Sequence, residues 1–395
     1  MKLHNMKMIF LLLALCCLSC SAQDNSGAAS NPDAIQNPVF GAYKTHDMSI
    51  IKGHDGLFYA FGNCNAARDK QQSLVYYGTN IFRSDNLVDW SFYKRTHQDN
   101  YREPRDDKER AKQRKGQYAI EYGDSVIYYP MWAAEIFEFE GKYLLFVALR
   151  NTATDSKIAL FETDGLSKDF SFKRIVVSGN KTDGEAYVNS KEIIDPFPIV
   201  DEGKLYLFYG SFARNGKGEF REKRRGFGVY VVELDKETLA KKSEPIFISD
   251  YYEGCTILKR NGKFYLFGTN GGLSDHTYKL SYAVSGSVTG PYLNHKGKSI
   301  ADTVNVNLGK VILETKDSKL RYNGFGCMST PIVDKDGRTF VLMNGHDLNL
   351  PAIVSKNSSI ERYSFLLELH WDSDGNPYFD LDEIENNKIA KPRMK

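Results

Sequence analysis

One short pattern, written five times in this chain, restricts its fold more than any other feature. In Ile193 to Ser211, IIDPFPIVDEGKLYLFYGS, Asp195 heads a β-rich run, and the chain turns at Asp201-Glu202-Gly203. It then returns through Leu205, Leu207 and Tyr209 with the alternation of a half-buried strand. That is a hairpin with a carboxylate at its start. Asp47 precedes MSIIKGHDGLFYAFG, Glu135 precedes IFEFEGKYLLFVA, and Glu253 precedes GCTILKRNGKFYLFG. The fifth copy, STPIVDKDGRTFVLMNG, has Ser329 in the acid's place.

Recurrence of one hairpin every roughly 60 to 90 residues marks a repeat architecture, and a four-stranded blade takes about 40 to 50 of them. The spacing predicts an all-β fold, a five-bladed β-propeller over residues 38–393. A wheel of this kind accommodates so long a chain as one domain, because each blade packs only on its neighbours. The innermost strand of each blade starts at the axis, so equivalent positions far apart in sequence converge. Asp47, Glu135, Asp195 and Glu253 are expected to ring one funnel mouth.

Residues 1–22 read as an export signal. Lys2 and Lys7 precede an apolar run, Ile9 to Leu15, that is too short to cross a bilayer. Ser19 before Cys20 resembles a lipobox whose cysteine is acylated, although Cys17 stands where that pattern usually has Leu. Cleavage after Ala22 is the alternative. The expectation is an exported monomer, periplasmic or an outer-membrane or cell-surface lipoprotein, touching the membrane only through that anchor. Residues 23–37, rich in Asn, Ser, Ala and Pro, read as a flexible linker. A net charge of +2 argues against a nucleic-acid surface.

Beyond the signal, Cys64, Cys255 and Cys327 are an odd number without metal-ligand spacing, so buried thiols are expected rather than a disulfide framework. Cys255, two residues after Glu253, is placed near the site. The polar stretches Arg83 to Trp90, Glu162 to Leu166 and Val284 to Tyr292 fit turns in the outer part of the blades. The mixed-charge run Lys94 to Lys115 reads as a solvated insertion, or as a rim that limits what enters the cleft.

Several carboxylates converging on one pocket, with no histidine or cysteine cluster, suit acid–base work better than transition-metal binding. Glycoside hydrolysis needs such a set: one carboxylic acid protonates the leaving oxygen while a carboxylate activates water or attacks carbon. A third acid nearby keeps the first protonated through like-charge repulsion. The bland alternative is that these acids bond backbone amides at the hub.

Thr45-His46-Asp47, Trp132-Ala133-Ala134-Glu135-Ile136, Ile194-Asp195-Pro196 and Glu253-Gly254, in this order, resemble glycoside hydrolase family 43. These are five-bladed propellers acting on arabinan and xylan side chains. The resemblance implies an inverting O-glycosyl hydrolase, with Asp47 as general base, Glu253 as general acid and Asp195 tuning and orienting the acid. Met48, Ala134, Glu135 and Cys255 depart from the family's usual residues without removing a catalytic carboxylate.

Trp132, Glu135, Phe197 and Ser329 are candidate substrate contacts, the two aromatics as sugar platforms or, alternatively, as core packing. Gly345-His346-Asp347 and the stretch Leu369 to Pro377 resemble arabinanases. By that likeness His346 holds a Ca²⁺ or similar ion, largely through waters, in the central channel; a satisfied core histidine is the alternative.

The expected substrate is a polysaccharide or oligosaccharide, through α-L-arabinofuranosyl linkages of arabinan or arabinoxylan. A β-xylosidase or β-galactosidase of the same family is the neighbouring reading. A retaining fructosidase would want Asn-Asp-Pro, Arg-Asp-Pro and Glu-Cys, which this chain lacks. A non-catalytic glycan-binding propeller should have lost one of Asp47, Asp195 or Glu253, and all are present.

Overall fold

The computed structural model describes residues 31–41, 43, 45–64, 78–96, 118–122, 125–129, 131–150, 156–178, 186–187, 192–212, 228–249, 252–272, 276–302, 308–315, 320–349 and 362–394. The export signal, Cys20 and most of the 94–115 insertion lie outside these residues.

Blade one is β1 (Thr45–Lys52), β2 (Phe58–Cys64), β3 (Asn80–Ser84) and β4 (Ser91–Arg95), hydrogen-bonded in that order. A separate hairpin, β5 (Tyr118–Tyr122) and β6 (Ser125–Tyr129), follows. Blade two is β7 (Met131–Phe139), β8 (Lys142–Arg150), β9 (Ser156–Thr163) and β10 (Ser171–Ser178), with β11 (Ala186–Tyr187) parallel at its edge.

Blade three is β12 (Glu192–Asp201), β13 (Lys204–Phe212), β14 (Gly228–Leu234) and β15 (Ile246–Ser249). Blade four is β16 (Glu253–Arg260), β17 (Lys263–Asn270), β18 (Lys279–Ser285) and β19 (Lys310–Glu314). In blade five the inner strand is broken into β20 (Tyr322–Gly326) and β21 (Ile332–Val333), both on β22 (Thr339–Asp347). Then come β23 (Tyr363–Trp371), β24 (Pro377–Tyr378) and a short helix, α1 (Leu381–Glu385), capped by Asp380. The five sheets form a five-bladed β-propeller.

Turn chemistry explains why the hairpins close where they do. Glu140-Gly141, Glu202-Gly203 and Asn261-Gly262 all have positive φ at both residues, and Phe139, Asp201 and Arg260 pair directly with Lys142, Lys204 and Lys263. That is the two-residue mirror-image turn whose twist matches the strands it joins, and glycine adopts its second position without steric cost. The outer turns behave as their composition suggests: Asn86 Oδ1 accepts from the amides of Val88 and Asp89 between β3 and β4.

The core lies between blades rather than at the axis. Tyr59, Phe61 and Ile81 of blade one meet Ile136, Leu145 and Phe161 of blade two. Leu144 and Phe146 meet Leu205, Leu207 and Tyr209, and Phe208 and Val231 meet Ile257 and Leu266. A larger cluster runs from Phe267 through Val341 and Leu367 to Ile50 and Phe82, joining blades four, five and one. Each blade thus buries both faces on neighbours, which is what stabilises a wheel of otherwise independent sheets.

The stretch expected to be a flexible linker over 23–37 ends earlier than that. Ala34 and Ile35 are fully buried, Ala34 bridges Ala390, and the Ile35 amide donates to Ile389 O at 2.8 Å. Asn37 clamps β23, donating through Nδ2 to Leu366 O at 3.0 Å and accepting from the Leu366 amide at 2.8 Å. Two buried aliphatic residues and a bidentate amide outweigh the polar composition of this stretch, so residues 34–37 pack on blade five beside residues 389–390.

Candidate active site

The first four inner strands each carry one residue in the left-handed region near the axis, Asp47 (φ 50°), Ala133 (42°), Asp195 (54°) and Gly254 (57°), and blade five has two, Gly324 (63°) within β20 at a register slip of its own and Cys327 (51°) just after it. In the first four blades the strand register slips at that point, between His46 and Ser49, Trp132 and Glu135, Ile194 and Phe197, and Glu253 and Thr256. In blade five Cys327 stands directly after β20, where the inner strand breaks. These are β-bulges, which re-aim side chains beside functional sites, and left-handed backbone at a non-glycine residue costs on the order of 1 kcal/mol. The propeller repeats that cost around its hub.

This ring corrects the register expected from sequence. Asp47 and Asp195 occupy equivalent bulge positions, but Glu253 lies one residue before its bulge, and Glu135 and Ser329 lie two residues after theirs. The acids still gather. Asp47, Glu135 and Asp195 line one cleft of about 380 Å³, counted out to open solvent, with Met48, Phe197 and Met328 as apolar wall; Gly254 lines it too, while Glu253 is buried just behind the lining and acts on Asp195 through its charge. Cys255 and Cys327 line it as well, neither in a disulfide.

Asp47 is held ionised. Asn344 Nδ2 donates to its Oδ1 at 2.6 Å, Asn63 Nδ2 to its Oδ2 at 3.2 Å, and Arg362 Nη1 lies 3.4 Å from Oδ1. Burial opposes the charge, but Arg362 foremost and then His46 and Asn344 overcome it, bringing the carboxyl down to about 2. His46 itself is neutral at ordinary pH, since burial and then Arg362 hold its imidazole down to about 3.

Asp195 is pushed the other way. Burial, then the charges of Glu253 and Asp47, raise it well above the usual carboxylate range, although the Gly254 amide donates to its Oδ2 at 2.9 Å. Glu253, 8% exposed, accepts from the Tyr278 hydroxyl on Oε1. One cleft thus holds a carboxyl kept ionised and another kept protonated, the kind of divergence found where acid–base chemistry is done.

Glu135 and Ser329 are turned to structural use. Glu135 Oε1 accepts from Thr330 Oγ1 of blade five at 3.0 Å, and Ser49 of blade one bonds it as well, so its side chain ties blades one, two and five together at the wall of the cleft. Burial raises it to about 8 despite those bonds. The Ser329 hydroxyl accepts from the Leu342 amide and donates to Thr330 O, satisfied within its own blade and 2% exposed.

Of the aromatics, Phe197 lines the cleft while packing on Phe208 in the core. Trp132 is partly buried beside Ala133 and is not among the residues lining the cleft. Asn344, Arg362, Tyr278 and Cys327 escaped the sequence reading. Asn344 could have been found, as it immediately precedes the Gly345-His346-Asp347 motif.

His346 stacks on His276 with ring centroids 4.3 Å apart and 5° between planes, and Asp347 pairs bidentately with Arg321 at 2.9 and 2.7 Å. Two stacked imidazoles are a poor donor set for a hard cation, which prefers oxygen. Among the described residues, one group of side chains could share an ion, Glu368, His370 and Glu383 on β23 and α1, and Arg338 already binds that Glu368. The described residues around His346 therefore do not fit a Ca²⁺ cage.

Comparison with known proteins bears on the fold and the family. An extracellular endo-α-(1→5)-L-arabinanase 1 of Bacillus subtilis (strain 168) is 26% identical over 197 residues, 47% of this chain and 54% of that relative, so the match spans about half the relative's length. An extracellular exo-α-(1→5)-L-arabinofuranosidase ArbA of Cellvibrio japonicus (strain Ueda107) is 24% identical over 284 residues, 67% of this chain and 74% of the relative. The structure of Cellvibrio cellulosa α-L-arabinanase complexed with arabinohexaose superimposes with a TM-score of 0.60 at 18% identity, covering 89% of this chain and 99% of that one, and so shares the fold. The sequence model of glycosyl hydrolases family 43 matches residues 35–377, and the chain belongs to that family.

Proposed function

We propose that this protein is an exported, inverting glycoside hydrolase that cleaves α-L-arabinofuranosyl linkages of arabinan or arabinoxylan, with α-1,5-linked arabinan as the first substrate to test. The observation that carries the reading is the opposed electrostatics of Asp47 and Asp195 at equivalent bulges of one cleft, with Glu253 joined to the second of them through the Gly254 amide. The relatives' names, arabinanase and arabinofuranosidase, both extracellular, supply the sugar and the export.

In this reading Asp47 takes a proton from a water whose oxygen attacks the anomeric carbon. Its low proton affinity keeps it ionised and ready, while Asn344 and Asn63 fix the carboxylate plane. Glu253 gives its proton to the leaving oxygen as the glycosidic bond breaks, so the product has inverted configuration. Asp195 retains a proton to unusually high pH and pins the Glu253-Gly254 peptide, which orients the acid. Met48, Phe197 and Met328 give a largely apolar wall against which a furanose ring can pack.

The test is reducing-sugar release from linear and branched arabinan, arabinoxylan and galactan, wild type beside Glu253→Gln, with proton NMR of the first-formed anomer. Release from arabinan with inversion, reduced about 100-fold or more in the variant, is the expected result. Binding of a glycan without release by wild type would leave a binding module instead.

A further inference from the structure

Tyr278 stands one residue before β18, is 7% exposed, and donates its hydroxyl to Oε1 of Glu253. Blade five makes room for it. A Cβ on Gly326 would lie 2.9 Å from Tyr278 Cδ2 and 2.5 Å from Thr269 Cγ2, so the ring is clamped between blades four and five where only a glycine fits. Thr269 is the register partner of Glu253, and its hydroxyl accepts from the Cys327 amide at 2.7 Å. The carboxyl of Glu253 is therefore gripped from one side by a phenol that cannot easily move.

We propose that Tyr278 is a positioning residue for the reaction: by holding Oε1 of Glu253 it fixes the orientation of the carboxyl that delivers the proton. It remains bonded to the carboxylate formed once that proton has gone. This rests on the reading of Glu253 as general acid. Burial and the Glu253 charge push the Tyr278 hydroxyl far above its ordinary value, so it is a donor at every working pH. A donor onto a carboxylate strengthens as charge develops there, and so acts more on the transition state than on bound substrate.

The experiment uses the full chain, wild type, Tyr278→Phe and Glu253→Gln. The substrates are linear arabinan, whose leaving group is a sugar alcohol, and a nitrophenyl α-L-arabinofuranoside, whose leaving group departs without a proton. For Tyr278→Phe we expect kcat on arabinan to fall about 10- to 100-fold, the size of one charge-assisted hydrogen bond, with KM little changed. The nitrophenyl substrate should lose less than about threefold, since it does not call on the acid. The alkaline limb of kcat should move to higher pH, because the bond favours the ionised acid and its loss favours the protonated one.

Equal losses on both substrates, or none on arabinan, overturn the proposal. If Glu253→Gln abolishes arabinan cleavage while Tyr278→Phe does not, the positioning role alone fails. If Glu253→Gln keeps full activity, the acid assignment fails and this inference with it. Should Tyr278→Phe melt early, Gly326→Ala, which displaces the ring with its hydroxyl intact, is expected to show the same leaving-group dependence. Its absence there counts equally against the role.

Discussion

The amide of Gly254 donates to Oδ2 of Asp195 at 2.9 Å, so the carboxyl of blade three is fastened to the peptide that carries Glu253 in blade four. An acid on one sheet is thereby placed by an acid on the next, and the separation between them depends on inter-blade packing rather than on either strand alone. The same holds at the other side of the cleft, where Asn344 of blade five bonds both the amide and the carboxylate of Asp47 in blade one. Catalysis in this fold should accordingly be sensitive to residues that touch no substrate.

Arg362 is the first of these. It is partly buried 3.4 Å from Asp47 and is the foremost cause that keeps Asp47 near 2 against the pull of burial. The folded value lies below the ordinary 3.8, so the stability contributed by ionised Asp47 is fully present above that pH and lost as pH falls through about 2. Replacing Arg362 by Gln removes the cation while burial remains, and the acid limb of kcat/KM should rise by about one to two pH units. A pH–rate profile from the acid side checks this. A limb that stays in place would mean that Asn344 and Asn63 alone hold the charge.

Glu135 gives the opposite pH dependence. Its proton is retained to about 8 against an ordinary 4.5, so between those values the folded chain binds a proton that the unfolded chain has released. Stability should therefore fall as pH rises through that window. Glu135→Gln keeps an oxygen for Thr330 Oγ1 without the ionisation, and should be the more stable protein at pH 8 by about 2 kcal/mol, after discounting for water in the cleft. The difference should vanish below pH 4.5. Denaturant melts of both proteins at the two ends of the window decide it.

Much of the wheel was legible because its punctuation is local. Glu140-Gly141, Glu202-Gly203 and Asn261-Gly262 announce hairpins by residue type, and the alternation around them gives the strands. The bulge ring was not legible. A slip of one or two residues at the head of a strand leaves the alternation further down unchanged, so Glu135 could stand in for Ala133 and Ser329 for Cys327 without disturbing the pattern.

Function was read from the acids because they recur. Arg362 and Tyr278 lie outside the five inner hairpins, with no counterpart in other blades to draw attention to them, and only folding brings them to Asp47 and Glu253. His346 shows the reverse case, a residue in a recognisable motif whose ring face stacks on His276, a contact that no sequence pattern announces.

Asn37 tests whether closure of the ring can be separated from the site. Its side chain satisfies both the amide and the carbonyl of Leu366, and its own carbonyl accepts from the Tyr322 hydroxyl at 3.1 Å. Asn37→Ala leaves two backbone groups of β23 without those partners, and should cost about 1–3 kcal/mol. Because none of these groups lines the cleft, kcat and KM on the working substrate should match wild type at a temperature where both are folded. A parallel loss of kcat would show that the packing of residues 34–37 on blade five controls the cleft as well as the fold.

Gly254 brings stability and chemistry together at one backbone position. Its φ of +57° disfavours any side chain, and a Cβ there would lie 2.9 Å from Cys327 Sγ and 3.2 Å from Cys327 Cα. Gly254→Ala thus adds about 1–2 kcal/mol of backbone strain to an overlap with the neighbouring blade. The cheapest relief is for the Glu253-Gly254 peptide to back away from Cys327, which lengthens the Asp195 bond and misplaces the acid. Activity should then fall by more than stability does, about 100-fold against a modest drop in melting temperature. Cys327→Ala removes the sulfur but leaves the crowding against the backbone of that residue, so the double variant should recover part of the loss and never all of it. A double-mutant cycle reads that recovery as a coupling of about 1 kcal/mol. Additive effects would show that the two bulges do not press on one another, and that the acid is placed by Asp195 alone.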